Sequence, residues 1–218
     1  RRPNSRSGSR TNIRAHYDLG NEFYRLFLDA SMAYSCAIFR LADDTLEAAQ
    51  QEKFDRICRK LRLGPSDRVL EIGTGWGGFA VWAATRFGCH VTTTTISEEQ
   101  RAYAAGLFAR LGLGPDRIEL RLEDYRDLKG CFDRIVSIEM FEAVGLEHYD
   151  TFFGQCDRLL APRGTMLLQA ITVTDQRFER YRATPDWIQK YVFPGGELAS
   201  VGAILESLRR ATSLALFD

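Results

Sequence analysis

A run of glycines at residues 73–78 is the part of this sequence best suited to hold a ligand. An apolar stretch at 68–72 precedes it and a helix-forming stretch follows, so the loop joins a buried strand to a helix N-terminus. Glycines let the backbone approach a ligand closely, and the helix end turns N–H groups toward it. The spacing also satisfies the dinucleotide fingerprint, which needs an acid about 20 residues later. Residues 92–95 are threonines there, which argues against a dinucleotide.

Two carboxylates follow later strands of the same region. Glu123 comes after the third predicted strand and Glu142 after the fourth. Doubly wound sheets bind ligands beyond the carboxyl ends of their strands, so both side chains are candidates for ligand contact. Each is a weak signal alone, because exposed acids after strands are common. Cys36 taken alone would more often be a buried apolar residue.

These positions belong to an alternating series of strands and helices. Strands are predicted at 68–72, 90–96, 117–122, 133–138 and 165–172, and helices at 79–87, 97–111, 149–160 and 201–211. Such alternation predicts parallel strands joined by crossover helices, hence an α/β fold with a doubly wound, mostly parallel sheet. A further helix at 45–63, with Thr45 as its N-cap, precedes the sheet.

The predicted organisation has three parts. These are a basic flexible tail at 1–15, a helical cap at 16–63 and a ligand-binding sheet domain at 64–218, with a lid inserted at 174–200. A sixth strand begins near 214–217 and the chain then ends, so the C-terminal strands are expected to be truncated. Five of the first 14 residues are arginine. The tail is either a disordered soluble segment or an electrostatic tether to an anionic surface such as a membrane.

Composition excludes several classes of function. The 29 basic and 29 acidic residues give no net charge, whereas nucleic-acid binders need an excess of Lys and Arg. The sequence contains no stretch of about 18 apolar residues and no secretory signal, which favours a cytoplasmic protein. Five scattered cysteines without a CxxC pair predict neither a disulfide framework nor a metal site.

Several motifs, taken in order along residues 12–202, resemble one family. They are residues 16–21, 32–37, 69–78, 95–100, 124–128, 132–137, 140–142 and 187–196. The hydrophobic–acid–hydrophobic–Gly-x-Gly arrangement at 69–78 resembles the first motif of the Rossmann-like, class I S-adenosylmethionine-dependent methyltransferases. The whole set resembles the cyclopropane-fatty-acyl-phospholipid synthase and mycolic acid cyclopropane synthase family of those enzymes.

The resemblance implies a reaction at a membrane surface. S-adenosylmethionine would give a methyl(ene) carbon to the double bond of an unsaturated phospholipid acyl chain, forming a cyclopropane fatty acid. An alkene is a poor nucleophile, so it must be held in line with the methyl group in a dry slot. Aromatic faces can stabilise the carbocation that follows. In the family a bound bicarbonate then removes a proton.

Residue roles follow from the same resemblance. The catalytic positions are Cys36, Glu142, Gln169 and Ile171. The cofactor positions are Tyr34, Ser35, Glu71, Gly73, Thr74, Gly75, Trp76, Gly77, Thr95, Ile96, Gln100 and Glu123. The expected partners are a phospholipid acyl chain and a peripherally contacted membrane, without nucleic acid, and a homodimer is compatible with them.

Three departures leave alternatives open. Ala143 and Gln169 stand where the family has histidines, and its late tyrosine has no counterpart. Gln cannot carry a proton at neutral pH, so bicarbonate binding and ring closure are both in question. A hydride shift before proton loss would instead give a methylene-branched chain, the route to methyl-branched acids from oleoyl lipid. A small-molecule methyltransferase and a non-catalytic lipid- or cofactor-binding module are the other hypotheses.

Overall fold

The structure, a computed structural model, describes residues 4–17 and 20–218 and is built around a five-stranded sheet. The strands are β1 (Arg68–Ile72), β2 (His90–Thr95), β3 (Ile118–Leu122), β4 (Phe132–Ile138) and β5 (Leu160–Gln169). They lie in the order β3-β2-β1-β4-β5, and every pairing is parallel. The doubly wound parallel sheet expected from the sequence is confirmed.

Helices cover both faces of this sheet. They are α1 (Arg6–Tyr17), α2 (Asn21–Arg25), α3 (Leu46–Lys60), α4 (Gly78–Trp82), α5 (Glu98–Arg110), α6 (Tyr149–Leu159), α7 (Asp175–Ala183) and α8 (Val201–Ala211). A π-helical turn, Ala83–Phe87, extends α4, and a second one, Ile188–Val192, follows α7. The hydroxyls of Thr45, Ser97 and Ser200 each accept a hydrogen bond from the backbone N–H three residues later. These N-caps explain where α3, α5 and α8 begin.

Alternation along β1 divides the interior into two layers. Val69 packs into the layer that contains α3, α4 and α5, whereas Leu70 and Ile72 pack into the layer that contains α6. Large aromatic residues fill both layers: Phe54, Phe79 and Phe108 in the first, and Phe141, Phe152 and Phe153 in the second. The strand order changes direction between β1 and β4, so a crevice opens beyond their carboxyl ends.

The N-terminal segment corrects one expectation. Residues Arg6–Tyr17 form α1, so the flexible tail expected at 1–15 is wrong for the part described. Polar contacts hold the helix: Asn4 Nδ2 donates to the Gly195 carbonyl at 2.8 Å, and Arg6 pairs with Asp127 at 2.7 Å. The side chain of His16 and all of residues 18–19, part of the first motif, lie outside the described residues.

Two further differences concern the ends of the sheet domain. Residues 212–218 contain no strand, so the sixth strand expected near 214–217 is not formed there. The inserted segment 174–200, called the lid segment below, returns to the sheet domain through a β-bridge between Thr172 and Ala199 and through the Glu197 N–H, which donates to the Glu142 carbonyl at 2.8 Å. Among the residues described, no helix has the length and apolarity required to cross a bilayer.

Candidate active site

The glycine loop follows β1 and turns sharply because three of its residues have positive φ. These are Gly73, Gly75 and Gly77, with φ of 106°, 52° and 94°. The N–H groups of Gly73 and Thr74 donate to the Thr94 carbonyl at 3.1 and 3.0 Å, which fixes the loop to β2. A Cβ built on Gly75 meets no atom within 4 Å. Gly75 therefore borders open space, as a residue that touches a cofactor must.

A chain of hydroxyl groups holds the loop from beneath. Thr93 Oγ1 donates to Glu71 Oε2 at 2.6 Å and lies 2.7 Å from Thr74 Oγ1. Because Thr93 has only one hydroxyl proton, Thr74 must donate to Thr93. Glu71 is 2% exposed, so it acts on the loop through these two threonines.

Two predicted cofactor residues of the loop face the protein interior. Trp76 is 2% exposed, and its Nε1 donates to Asn21 Oδ1 at 2.7 Å. A Cβ at Gly77 would lie 2.7 Å from a ring carbon of Phe108. Trp76 thus ties the loop to the N-terminal segment, and Gly77 allows α5 to pack against it.

The ends of β2 and β3 bring the remaining predicted cofactor residues together. Thr95 Oγ1 donates to Gln100 Oε1 at 2.8 Å, and the Glu123 N–H donates to the Thr95 carbonyl at 3.1 Å. Gln100 is buried, whereas Ile96 and Glu123 are partly exposed. These groups lie on the same edge of the sheet as the glycine loop, where the polar end of a cofactor would be held.

A cluster of polar groups lies beyond β4 and β5, and Glu139 is at its centre. Glu139 Oε1 accepts hydrogen bonds from the Cys36 N–H and from Gln169 Nε2, both at 2.8 Å. Gln169 Nε2 also donates to the Cys36 carbonyl at 3.2 Å. Glu139 has a φ of 48°, a left-handed conformation that costs a non-glycine residue energy and is typical of functional sites.

Glu142 supplies a second carboxylate to this cluster. Its Oε1 accepts the Ile171 N–H at 2.5 Å, while its Oε2 is buried without a hydrogen-bond partner. Burial raises the pKa of Glu142, and the Ile171 N–H opposes that rise. The structure therefore brings Cys36, Glu142, Gln169 and Ile171 together, as their predicted shared role requires.

The resemblance places a bicarbonate beside the N–H groups of Cys36 and Ile171 and the Gln169 side chain, but these groups donate their hydrogen bonds to carboxylates of the protein. The Cys36 N–H and the Gln169 amide donate to Glu139, and the Ile171 N–H donates to Glu142. A bicarbonate at this place would displace these bonds and lie beside two carboxylates, a like-charge arrangement that is costly away from bulk water. The residues present therefore do not fit a bicarbonate.

Aromatic rings border the cluster. Tyr34 lies 5.2 Å from Tyr24 and stacks on Phe193 of the lid segment at 6.0 Å, measured between ring centroids. Burial, and next the charge of Glu139, raises the pKa of the Tyr34 phenol. Ser35, the next residue, receives a hydrogen bond from the buried ammonium of Lys53.

Sequence reasoning missed Glu139 and Lys53. The rule that selected Glu142, a carboxylate beyond the carboxyl end of β4, applies equally to Glu139, so that signal was present. Lys53 had a weaker signal, because its neighbours Ala49, Phe54 and Ile57 mark the buried face of α3. Within residues 4–17 and 20–218, no cluster of three His, Cys, Asp or Glu residues could hold a metal ion.

The parallel sheet, its strand order and the glycine loop define the class of the S-adenosylmethionine-dependent methyltransferases. Residues 4–217 match the mycolic acid cyclopropane synthetase family, and the chain belongs to it. S-adenosylmethionine is the cofactor of this class, and the open space beside Gly75 fits it.

Three relatives illustrate the match. Tuberculostearic acid methyltransferase UfaA1 of Mycobacterium tuberculosis is 43% identical over 98% of this chain and 51% of its own length. Cyclopropane-fatty-acyl-phospholipid synthase of Escherichia coli is 46% identical over 88% and 48%. The structure of mycolic acid cyclopropane synthase CmaA1 complexed with SAH and CTAB has a TM-score of 0.84 at 35% identity, covering 93% of this chain and 74% of CmaA1. The chain spans about half the length of the two curated relatives.

Proposed function

We propose that this chain transfers a methyl carbon from S-adenosylmethionine to the double bond of an unsaturated fatty acyl chain in a phospholipid. The observation that carries the proposal is the pair of carboxylates, Glu139 and Glu142, fixed beyond β4 and β5 on the same edge of the sheet as the glycine loop. A methyl transfer to an alkene needs a base that removes a proton afterwards. A methyl transfer to an amine or a hydroxyl needs no carbocation chemistry.

Apolar surface around the site supports a lipid substrate. Phe23, Leu26 and Phe27 near α2 are 43%, 81% and 47% exposed, and Trp187 and Tyr191 of the lid segment are 66% and 68% exposed. The stacked rings of Tyr34 and Phe193 join these two surfaces beside Ser35 and Cys36. Exposed apolar patches of this kind mark binding surfaces for apolar partners. We infer that the acyl chain enters here and that the same surface rests peripherally on the cytoplasmic membrane.

Each group has a definite task in this reaction. S-adenosylmethionine, when bound, supplies a methyl group on a positively charged sulfur. The glycine loop, Gln100 and Glu123 hold it, and the aromatic face of Tyr34 excludes water and stabilises positive charge on the acyl chain. The alkene electrons form the new carbon–carbon bond, which leaves a carbocation on the neighbouring carbon. Glu139 accepts the proton that must then leave.

The timing of proton loss decides the product. Direct loss of a proton from the added methyl group lets its electron pair close a cyclopropane ring. If a hydride first shifts to the cationic carbon from the carbon that bears the new methyl group, loss of a proton from that methyl group gives a methylene branch. Both routes deliver a proton of the added methyl group to Glu139, which two hydrogen bonds fix in place, so analysis of the product distinguishes them. The relatives' names cover both kinds of transfer: one is a cyclopropane-fatty-acyl-phospholipid synthase and another a tuberculostearic acid methyltransferase.

Incubation with S-adenosylmethionine and dioleoyl phospholipid vesicles tests the proposal. We expect release of S-adenosylhomocysteine and an acyl chain with one more CH₂, and proton NMR separates high-field cyclopropane signals from olefinic methylene signals. Vesicles of a saturated phospholipid should give no turnover. Turnover on saturated lipid would contradict the proposal. Cofactor binding without turnover on the unsaturated lipid would favour a non-catalytic binding module.

Replacement of the proposed base gives a matched test. Glu139→Gln keeps the shape of the side chain but cannot accept the proton, so we expect the turnover rate to fall by about 10²-fold or more. Glu147→Gln, at an exposed glutamate beyond the same strand, should retain the wild-type rate. Equal rates for the wild type and Glu139→Gln would exclude Glu139 as the base.

A further inference from the structure

The buried ammonium of Lys53 lies outside the set of residues that the methyl transfer uses directly. Lys53 is on α3 and is 1% exposed. A buried charge costs several kcal/mol unless it is paired and hydrogen-bonded. Its Nζ donates to Ser35 Oγ at 2.5 Å and lies 4.9 Å from the centre of the Phe54 ring. Neither contact is a full counter-charge, so the fold retains this ammonium at a cost.

Lys53 acts together with Gln50, which is one turn earlier on α3. Gln50 Nε2 donates to the carbonyls of Ala33 and Ser35 at 3.2 and 2.8 Å. The backbone of α3 also holds this loop, because the Ile38 N–H donates to the Ala49 carbonyl at 3.1 Å. The α3 contacts therefore fix residues 33–38, the segment that contains Cys36.

The fixed segment leads directly to the proposed base. The Cys36 N–H, one residue beyond Ser35, donates to Glu139 Oε1 at 2.8 Å. The charged and titratable groups that act on the Lys53 ammonium are Glu139, Asp29 and the Cys36 thiol, and all three favour its charged form.

We propose that Lys53 is a positioning residue for this reaction, which holds the Ser35–Cys36 segment against Glu139. The inference rests on the proposed function, because it assigns Lys53 to the same site. Burial lowers the pKa of Lys53 to about 8, and the three acidic groups oppose that lowering. The ammonium is therefore present below about pH 8 and is lost above it. Turnover by the wild type should fall as the pH rises through this value.

Three variants test the inference in the full chain, assayed with S-adenosylmethionine and dioleoyl phospholipid vesicles between about pH 6 and 10. Lys53→Met keeps the length of the side chain, and such replacements of buried charges often fold well. We expect its kcat to fall by about 10-fold or more, with the larger loss below about pH 8, where the wild type carries the ammonium. Lys53→Arg keeps a charge that does not titrate, so it should retain more activity and lose the fall above pH 8. Lys60→Met, at an exposed lysine of the same helix, should match the wild type.

The outcomes separate the two proposals. An active wild type together with a Lys53→Met variant of unchanged kcat and pH profile would overturn the inference and leave the proposed function standing. A wild type without turnover would overturn both. If Lys53→Met does not fold by circular dichroism, the pH profiles of the wild type and Lys53→Arg decide: a fall above pH 8 only in the wild type supports the inference, and equal profiles overturn it.

Discussion

Glu71 shows how one buried carboxyl group can organise a loop without touching its ligand. Burial raises its pKa to about 8, although the Thr93 hydroxyl opposes the rise. At neutral pH the group is therefore mostly protonated and neutral, which makes its burial tolerable. The hydroxyl chain through Thr93 and Thr74 transmits its position to the glycine loop. The acid of this motif is thus a support for the loop rather than a charged contact.

Glu71→Gln should make stability less dependent on pH. The pKa of Glu71 is higher in the folded than in the unfolded protein, so the unfolded chain loses its proton first as the pH rises. Wild-type stability therefore falls between about pH 5 and 8, whereas a neutral amide has no such dependence. We expect the stability of Glu71→Gln relative to the wild type to increase across this range by more than about 1 kcal/mol, measured by urea unfolding.

Glu119, on β3, provides a control in which the pH dependence of stability has the opposite sign. Arg121 lowers the pKa of Glu119 through a hydrogen bond, so Glu119→Gln should lose a small amount of stability relative to the wild type as the pH rises through about 4. A constant difference between Glu71→Gln and the wild type from pH 5 to 8 would show that Glu71 is not held neutral.

At the scale of elements, local signals predicted most of the fold. The helix expected at 45–63 forms over Leu46–Lys60 with Thr45 as its N-cap, and the strand expected at 90–96 forms over His90–Thr95. Caps, glycines and β-branched runs act within a few residues, so they can be recognised in the sequence. The segment 16–40, expected as part of a helical cap at 16–63, is less regular: beyond α1 it forms the short helix Asn21–Arg25, and residues 26–40 contain no helix.

Contacts between distant elements could not be predicted in the same way. Glu139 accepts a hydrogen bond from Cys36, 103 positions earlier in the chain. The conformation that aims it there has a positive φ, which no feature of a glutamate predicts. In the sequence, Lys53 resembles an ordinary helix residue. Its burial beneath the Ser35 segment is seen only in the structure. The resemblance to the family supplied Cys36, Gln169 and Ile171, but the role of Glu139 depends on tertiary structure.

Within the glycine loop, Gly77 packs against α5 whereas Gly75 borders open space. One variant at each position should show the difference. Gly77→Ala forces a methyl group to within 2.7 Å of Phe108 at a φ of 94°. We expect a loss of about 3 kcal/mol in unfolding free energy from overpacking and backbone strain. Gly75→Ala has open space and should lose only about 1 kcal/mol, while its methyl group enters the cofactor's space. Its affinity for S-adenosylmethionine, measured by calorimetry, should fall by about 10-fold or more.

The decisive observation is that Gly77→Ala has a lower free energy of unfolding than Gly75→Ala. A Gly77→Ala variant as stable as the wild type would contradict the packing of α5 against the loop. A Gly75→Ala variant with wild-type affinity would place the cofactor elsewhere.

At the scale of the whole molecule, α1 links the lid segment to the edge of the sheet. Asn4 donates to the Gly195 carbonyl of the lid segment at 2.8 Å and accepts a hydrogen bond from Asn12 at 3.1 Å. Arg126, paired with the buried Asp124 after β3, donates to the Asn4 carbonyl at 3.3 Å. The lid segment also carries Phe193, which stacks on Tyr34. Order in α1 is therefore coupled to order at the proposed entrance for the acyl chain.

Asn4→Ala should loosen the lid segment without unfolding the protein. The change removes two hydrogen bonds and leaves the partly buried carbonyl of Gly195 without this donor, at a cost of about 1 kcal/mol. Backbone amides of residues 193–197 should then exchange with deuterium about 10-fold faster, measured by mass spectrometry of peptides. Arg6→Ala, at the first residue of α1, is the control: it removes an exposed ion pair with Asp127, worth less than about 1 kcal/mol. Equal exchange in Asn4→Ala and the wild type would show that α1 does not restrain the lid segment. Faster exchange confined to residues 193–197 would place the coupling where the acyl chain is proposed to enter.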